Sequence, residues 1–159
     1  MAKADKATTV SRLYWTARIA RTALAGRLLS HGFYAGQDQI MIALGRDDGQ
    51  TPGQLAVRLG VRPPTVTKTI NRLQSQGYVE KRASETDARQ ANVFLTEEGR
   101  GAIKAIEKAV RKIDKQALKG FDKKEQKQLI RLLGRIEANL NGAAAVADEI
   151  EEGEGDELA

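Results

Sequence analysis

The chain contains no cysteine and only one histidine, His31. It therefore forms no disulfide, carries no thiolate nucleophile, and offers no zinc site built from cysteines or from several histidines. No apolar run approaches the roughly 18 residues that a membrane-spanning helix needs, and no apolar block with a cleavage site stands near the first residue. We therefore expect a cytoplasmic protein with no metal, no cofactor and no membrane partner.

Enzyme motifs are missing as well. The sequence has no Walker-type phosphate loop, no dinucleotide-binding glycine cluster after a strand, and no metal-ligand spacing. Its paired carboxylates stand only at helix-capping positions or in the carboxy-terminal tail. We therefore do not expect an enzyme.

The charge is unevenly distributed along the chain. Residues 142–159 hold seven of the 21 acidic side chains and no Lys or Arg, which leaves 26 basic and 14 acidic residues, a net charge of +12, in residues 1–141. A body this basic attracts polyanions, nucleic acid above all, although surface charge that only aids solubility is the alternative. The tail, residues 142–159, is rich in Ala, Glu and Gly, and we expect it to be flexible.

Both ends of the body show the apolar periodicity of long helices. A first segment is predicted within residues 1–35, and two more within residues 101–141, where Asp122 and Glu125 form a capping box. Their apolar stripes are wide for so small a domain, so they need a surface to cover them. A second copy of the chain is one such surface, and an intramolecular helical bundle is the other. We expect homodimerisation.

The central residues predict a short helix at residues 39–44 and then a helix-turn-helix followed by a hairpin. Thr51 and Gln54 form a capping box for a short helix that Gly60 ends, and a longer helix runs from Pro63 to Gln76. Predicted strands then follow at residues 78–82 and 91–95, joined by a polar loop. The fold class is therefore mainly α with a small β-hairpin wing: a winged helix-turn-helix at residues 36–100 between long terminal dimerisation helices.

Two surfaces of this predicted domain suit DNA. The face of the longer helix opposite Val66 and Ile70 mixes cations with short hydroxyl and amide groups, which fits major-groove reading. Arg89 near the hairpin tip suits the minor groove, and Asp87 either orients its guanidinium or braces the loop. An ordinary solvated helix face is the alternative. The predicted DNA contacts are Arg62, Pro64, Thr65, Thr67, Lys68, Asn71, Arg72, Lys81, Arg82, Asp87 and Arg89.

Six motifs stand in order along the central residues: Leu55-Ala-Val-Arg-Leu-Gly-Val61, Thr65-Val-Thr-Lys68, Asn71-Arg-Leu73, Gly77-Tyr-Val-Glu-Lys-Arg82, Asp87-Ala-Arg89 and Val93-Phe-Leu-Thr-Glu-Glu-Gly99. With these motifs the chain resembles the MarR family of winged-helix transcriptional regulators over about residues 8–140. Ala88 departs from the family pattern, which often has a second arginine there, and Pro63 and Pro64 replace small polar residues at the start of the recognition helix.

The resemblance implies a homodimeric regulator, in most members a repressor, on a double-stranded pseudo-palindromic operator. It also implies release by a small aromatic, acidic or phenolic ligand, bound where the dimerisation helices meet the winged helix. Packing at a helix junction explains the same aromatic residues equally well. The candidate ligand contacts are Tyr14, Trp15, Arg18, His31, Phe33, Tyr34 and Met41.

Two other functions stay open from the sequence. Residues 104–135 hold eleven basic and four acidic side chains, so the chain is alternatively a non-specific or architectural DNA-binding protein, for which a steep salt dependence without sequence preference would be the sign. A protein-binding adaptor is the third candidate, but it would not need Lys68 and Arg89 where they stand.

Overall fold

Helices form most of the chain, with one antiparallel hairpin. The computed structural model describes the backbone of residues 8–155 and the side chains of residues 8–142. One compact unit ends at Ala117 and a second begins at Leu118, and the limits predicted for the winged helix, residues 36 and 100, lie inside the first. In chain order the elements are α1 (Thr9–Leu29), α2 (Gln37–Arg46), α3 (Pro52–Leu59), α4 (Pro63–Ser75), β1 (Val79–Ala83), β2 (Ala91–Leu95), α5 (Glu97–Ala117) and α6 (Lys123–Gly155).

Both predicted capping boxes are present. The Thr51 hydroxyl accepts the backbone N–H of Gln54 at 3.1 Å, and the Gln54 side chain accepts the backbone N–H of Thr51 at 2.9 Å. Asp122 and Glu125 make the same reciprocal pair, at 2.8 and 2.9 Å, before α6. Each box satisfies two backbone donors that the helix leaves free, which is why these starts are readable from local sequence.

The hairpin pairs Val79 with Leu95 and Ala83 with Ala91. Its first strand begins one residue later than predicted because the backbone N–H of Tyr78 donates to Leu73 at 3.0 Å, closing the end of α4 instead of joining the sheet. The turn before α3 lies along the other edge of β2, where Val93 donates to the carbonyl of Gln50 at 2.8 Å. The sequence did not predict this pairing of Gln50 with Val93.

The core of the first unit lies among α2, α3, α4, α5 and the hairpin, and α1 adds Leu28 to it, with Leu24 packed against it. The fully buried side chains come from every one of these elements and from α1, so the winged helix shares its core with the end of α1 and with α5. The largest apolar ones are Phe33, Leu28, Met41, Leu44, Leu55, Ile70, Leu73, Ile106, Val66, Val79 and Val93.

Two helices are longer than the sequence predicted. α2 covers Gln37–Arg46, where residues 39–44 were expected, because Gly36 adopts a left-handed φ of +94° and the helix starts directly after it. α6 continues past Gly142 to Gly155, so the backbone is helical along much of the acidic tail. The predicted flexibility of residues 142–159 stays a prediction, since the side chains from residue 143 lie outside the described part.

The apolar residues of α1 and α6 are largely exposed. Tyr14, Trp15 and Ile19 on α1 are 76%, 57% and 55% exposed, and Ile130 and Leu140 on α6 are 69% and 58% exposed. Within the part of the chain that the structure describes, no helix is both long and apolar enough to cross a bilayer.

Candidate nucleic-acid interface

The recognition helix α4 separates an apolar face from a polar one. Val66, Ile70 and Leu73 are buried at 1% exposure or less, which fixes how the helix rotates on the core. All seven residues that the sequence assigns to DNA on or beside this helix are exposed, so the predicted surface is available to a ligand. They are Arg62, Pro64, Thr65, Thr67, Lys68, Asn71 and Arg72.

The base of the hairpin is attached to this polar face. The Lys81 ammonium of β1 donates to the Asn71 side-chain oxygen of α4 at 2.6 Å. An open cleft of about 380 Å³ runs from the first turn of α3 along the hairpin, and both Lys81 and Arg89 line it. Two of the predicted DNA contacts on the hairpin, Lys81 and Arg89, therefore lie beside the first turn of α3.

The loop of the hairpin is braced by Asp87. Its carboxylate accepts the backbone N–H of Arg89 at 2.9 Å, and its carbonyl accepts the N–H of Gln90 at 3.0 Å. Of the two roles considered for Asp87, bracing the loop is the one these contacts support. The guanidinium of Arg89 is exposed at the loop.

Arg82 is placed differently from the other predicted contacts. Its guanidinium pairs with Glu80, two residues earlier, and lies over the Phe94 ring at 4.4 Å from the ring centroid. Lys81 and Arg82 alternate across the strand, so they point to opposite faces of the hairpin. Arg82 is therefore engaged on the face that carries Phe94, whereas Lys81 joins the face that meets α4.

Asp48 holds the hairpin against the rest of the domain. One carboxylate oxygen accepts the N–H groups of Leu95 and Gly49, at 2.9 and 3.1 Å, and the other pairs with Arg100 of α5 at 2.9 Å. Asn92 adds a bond from its side chain to the carbonyl of Gly49 at 2.8 Å. Sequence reasoning missed this anchor because the residues are far apart in the chain.

The Leu-Thr-x-x-Gly motif after β2 joins the hairpin to α5. The Thr96 hydroxyl donates to the carbonyl of Gly77 at 2.6 Å and accepts the N–H of Gly99 at 3.0 Å, which caps α5. A Cβ on Gly99 would lie 2.1 Å from the carbonyl oxygen of Tyr78. Only glycine lets the first turn of α5 approach the hairpin this closely.

The seven candidate ligand contacts fall into several environments and do not share one cavity. Phe33 and Met41 are core residues, at 2% and 0% exposure, and Phe33 packs on Tyr78 with ring centroids 4.9 Å apart. His31 is exposed. Tyr34 contacts α4 through Arg72, whose guanidinium carbon lies 3.7 Å from the Tyr34 ring centroid. Tyr14, Trp15 and Arg18 lie with Ser11 on one exposed side of α1.

A buried carboxylate lies where α1 and α2 meet. Asp38 is 6% exposed and accepts the backbone N–H of Gly36 at 3.2 Å. Burial raises the pKa of this carboxyl above its ordinary value of 3.8, while hydrogen bonds from the backbone and the charge of Arg21 act in the opposite direction. Asp38 and Arg21 border a cavity of about 40 Å³, which has room for little more than water.

An exposed polar helix face and a braced hairpin on one shared core define the chain as a winged-helix protein. Among the described residues no cluster of His, Asp or Glu side chains has a composition and geometry suited to a metal ion. The candidate site is an exposed surface made of cations, amides and hydroxyl groups.

Comparisons with known proteins agree with this class. A model of the MarR family matches residues 37–90. The transcriptional regulator PA3341 is 31% identical, with 85% of this chain and 99% of that chain covered and a TM-score of 0.75. A MarR transcriptional regulator from Methanosarcina mazei Go1 is 22% identical over 89% of this chain and 95% of that chain, with a TM-score of 0.79.

A third similar structure contains DNA. A putative MarR family regulator from Listeria monocytogenes, solved in complex with a 26mer DNA, is 20% identical over 84% of this chain and 89% of that chain, with a TM-score of 0.77. The chain belongs to the MarR family of winged-helix transcriptional regulators. Members of this family are DNA-binding regulators and not enzymes.

Proposed function

We propose that the protein is a sequence-specific repressor that binds a pseudo-palindromic operator as a homodimer and is released by a small aromatic acid or phenol. The observation that carries the proposal is the 2.6 Å contact between Lys81 and Asn71. It connects the hairpin to the exposed face of α4, so that the groups suited to a major groove and to the adjacent backbone belong to one rigid surface.

In the proposed complex each element of this surface has its own role. The amino-terminal half of α4, with Thr65 and Lys68, enters the major groove, where hydroxyl and ammonium groups contact base edges and phosphates. Arg89 on the braced hairpin loop reaches the flanking minor groove, where the negative potential is strongest. Two such surfaces would meet half-sites about 10 bp apart.

The exposed apolar residues support a homodimer. Trp15 and Ile19 lie one helical turn apart on α1, and each is more than half exposed. Ile130 and Leu140 present a similar face on α6. Large apolar side chains at this density mark an interaction surface, and a second copy of the chain would cover each face with its own equivalent.

The exposed side of α1 that carries Tyr14, Trp15 and Arg18 supports an acidic aromatic effector. Tyr14 and Trp15 offer ring faces to an aromatic ligand, and Arg18 offers a cation to its carboxylate. Phe33 and Met41 lie in the core, so a ligand would reach them only after the core had opened. Replacing Arg18 with Ala should abolish release of DNA by small benzoic acids, and an unchanged response would contradict this assignment.

Selection of bound duplexes from a random pool, at near-physiological salt, tests the proposal as a whole. An inverted repeat should be enriched by the wild-type protein, and Lys68→Ala and Arg89→Ala should each weaken binding to it. We expect a loss of about 1–3 kcal/mol where a bidentate contact disappears. Lys108→Ala removes an equally exposed cation from α5 and serves as the matched control. Recovery of DNA without any consensus would contradict operator recognition.

A basic stripe on α5 favours non-specific DNA binding as a second candidate function. Its four cations recur at helical spacing on the side opposite the buried Ile106 and Ala109. If this stripe binds DNA, Lys108→Ala should lower the salt slope of DNA binding by about one phosphate contact, whatever the DNA sequence. Lys68→Ala should then weaken DNA binding no more than Lys108→Ala does. The members of the stripe are Lys104, Lys108, Arg111 and Lys115.

A further inference from the structure

The connection between α1 and α2 touches the recognition helix at Arg72. The guanidinium carbon of Arg72 lies 3.7 Å from the centre of the Tyr34 ring, which is 44% exposed. The hydrogen bonds formed among the described residues include none from this guanidinium. Stacking uses the flat face of the group and leaves its N–H donors, which lie in the plane of the guanidinium, free for another acceptor.

A second set of contacts fixes Tyr34 in place. Its backbone N–H donates to the Gln37 side-chain oxygen at 2.9 Å, and the Gln37 amide donates to the Gln76 side-chain oxygen at 2.8 Å. Gln76 is the cap residue at the end of α4, one helical turn after Arg72. Gln37 is buried at 1% exposure, so breaking either bond would leave a polar group unsatisfied in the core.

These contacts form a closed ring through both segments: Arg72 to Tyr34, Tyr34 to Gln37, Gln37 to Gln76, and back along α4. Phe33 adds apolar support, since its ring packs on Tyr78 just beyond α4. The backbone of Tyr34 is therefore held at a set position relative to α4, which places the Tyr34 ring where it stacks on the Arg72 guanidinium.

We propose that Tyr34 is a positioning residue for DNA recognition, which holds the Arg72 guanidinium in the orientation that contacts DNA. This inference rests on the proposed function. A long arginine side chain loses rotamer freedom when it binds, and a side chain that is already ordered loses less. Tyr34 thus acts on DNA affinity through Arg72, without a DNA contact of its own.

The test uses the full chain and the duplex recovered by the wild-type protein. Tyr34→Leu removes the ring but keeps an apolar side chain, and it should weaken binding about two- to five-fold, the range of an exposed cation–π contact. Tyr34→Phe keeps the ring and should bind as the wild type does. Equal loss in both variants would overturn the proposal.

A double-mutant cycle separates positioning from a general structural effect. Tyr34→Leu should have no further effect in an Arg72→Ala background, whereas in a Lys68→Ala background it should keep its full two- to five-fold effect. The same factor in both backgrounds would overturn the inference and leave the proposed function intact. If Arg72→Ala and Lys68→Ala both bind like the wild type, the proposed DNA surface itself is wrong.

A measurement without DNA completes the test. The side-chain N–H proton of Arg72 lies above an aromatic ring, so its NMR signal should be displaced by the ring current. Tyr34→Leu should return the signal to the position of an unstacked arginine, and Tyr34→Phe should not. An Arg72 signal that does not change in Tyr34→Leu would contradict the stacked arrangement.

Discussion

The winged helix buries its large apolar side chains, whereas the terminal helices α1 and α6 leave many of theirs exposed. In α4 and β2 the residues Ile70, Leu73 and Val93 are fully buried within one chain. On α1 and α6, Tyr14 and Ile130 are 76% and 69% exposed. The winged helix thus lies on a core that is buried within the chain, whereas large apolar side chains of α1 and α6 stay exposed.

Ile70→Ala should show the largest effect, because it creates a cavity in this buried core. We expect the free energy of unfolding to fall by about 2–5 kcal/mol, measured by urea denaturation. Val57→Ala is the control, since Val57 on α3 is 85% exposed and surface changes of this kind stay within about 0.5 kcal/mol. Similar losses of unfolding free energy in the two variants would contradict the assignment of Ile70 to the core and Val57 to the surface.

Ile19→Ser addresses the terminal helices. If a second copy covers α1, the change should weaken self-association by about 1.5–3 kcal/mol, the value of burying one such side chain, which is roughly ten-fold or more in the dimer Kd. Sedimentation velocity over a range of protein concentrations measures this. Val57→Ser should leave the association unchanged, and a monomeric wild-type protein would contradict the proposed dimer.

Gly99→Ala tests how tightly α5 is joined to the hairpin. The new methyl group would collide with the Tyr78 carbonyl, so we expect a loss of about 1–3 kcal/mol in unfolding free energy. Gly101→Ala is a matched control in the same helix, since a Cβ there meets no atom within 4 Å. It should stabilise the protein by about 0.5–1 kcal/mol. If both variants behaved alike, close contact would not explain Gly99.

Asp38→Asn should have the smallest effect, and one that depends on pH. Because burial raises the pKa of Asp38 above 3.8, the folded chain binds this proton more tightly than the unfolded chain does. The free energy of unfolding therefore falls as the pH rises from 3.8 through the raised pKa.

The Asn variant lacks this titration and keeps an acceptor for the N–H of Gly36. It should be the more stable form at neutral pH, and its advantage should shrink as the pH is lowered toward about 4. Thermal unfolding across this range measures the difference. A wild-type protein that gains stability relative to Asp38→Asn as the pH rises would show that the backbone hydrogen bonds and the charge of Arg21 together outweigh burial.

The elements that the sequence predicted correctly depend on neighbouring residues. Thr51 finds Gln54 three positions later, and Asp122 finds Glu125 in the same way. The contacts that it missed connect distant residues: Asp48 bonds to Leu95, and Tyr34 stacks under Arg72. No local pattern encodes such pairs, because a propensity or a period describes only the residues around it.

The candidate site divides along the same line. The exposed face of α4 follows from the helical period once Val66 and Ile70 are assigned to the core, so its residues could be listed from the sequence. The sequence could not show which of these residues contact one another or a neighbouring element. Lys81 joins Asn71, and Arg82 turns to Phe94, only because the hairpin folds back on the domain.

The amino-acid sequence by itself determined the order of the elements, their caps, the apolar faces and the basic surface, because each is set by short-range sterics, hydrogen bonding and charge. The tertiary structure decided that Phe33 and Met41 belong to the core, that Gly99 has no room for a side chain, and that Tyr34 reaches the recognition helix. Those outcomes depend on how closely distant segments approach, and only the packing of the whole core sets that distance.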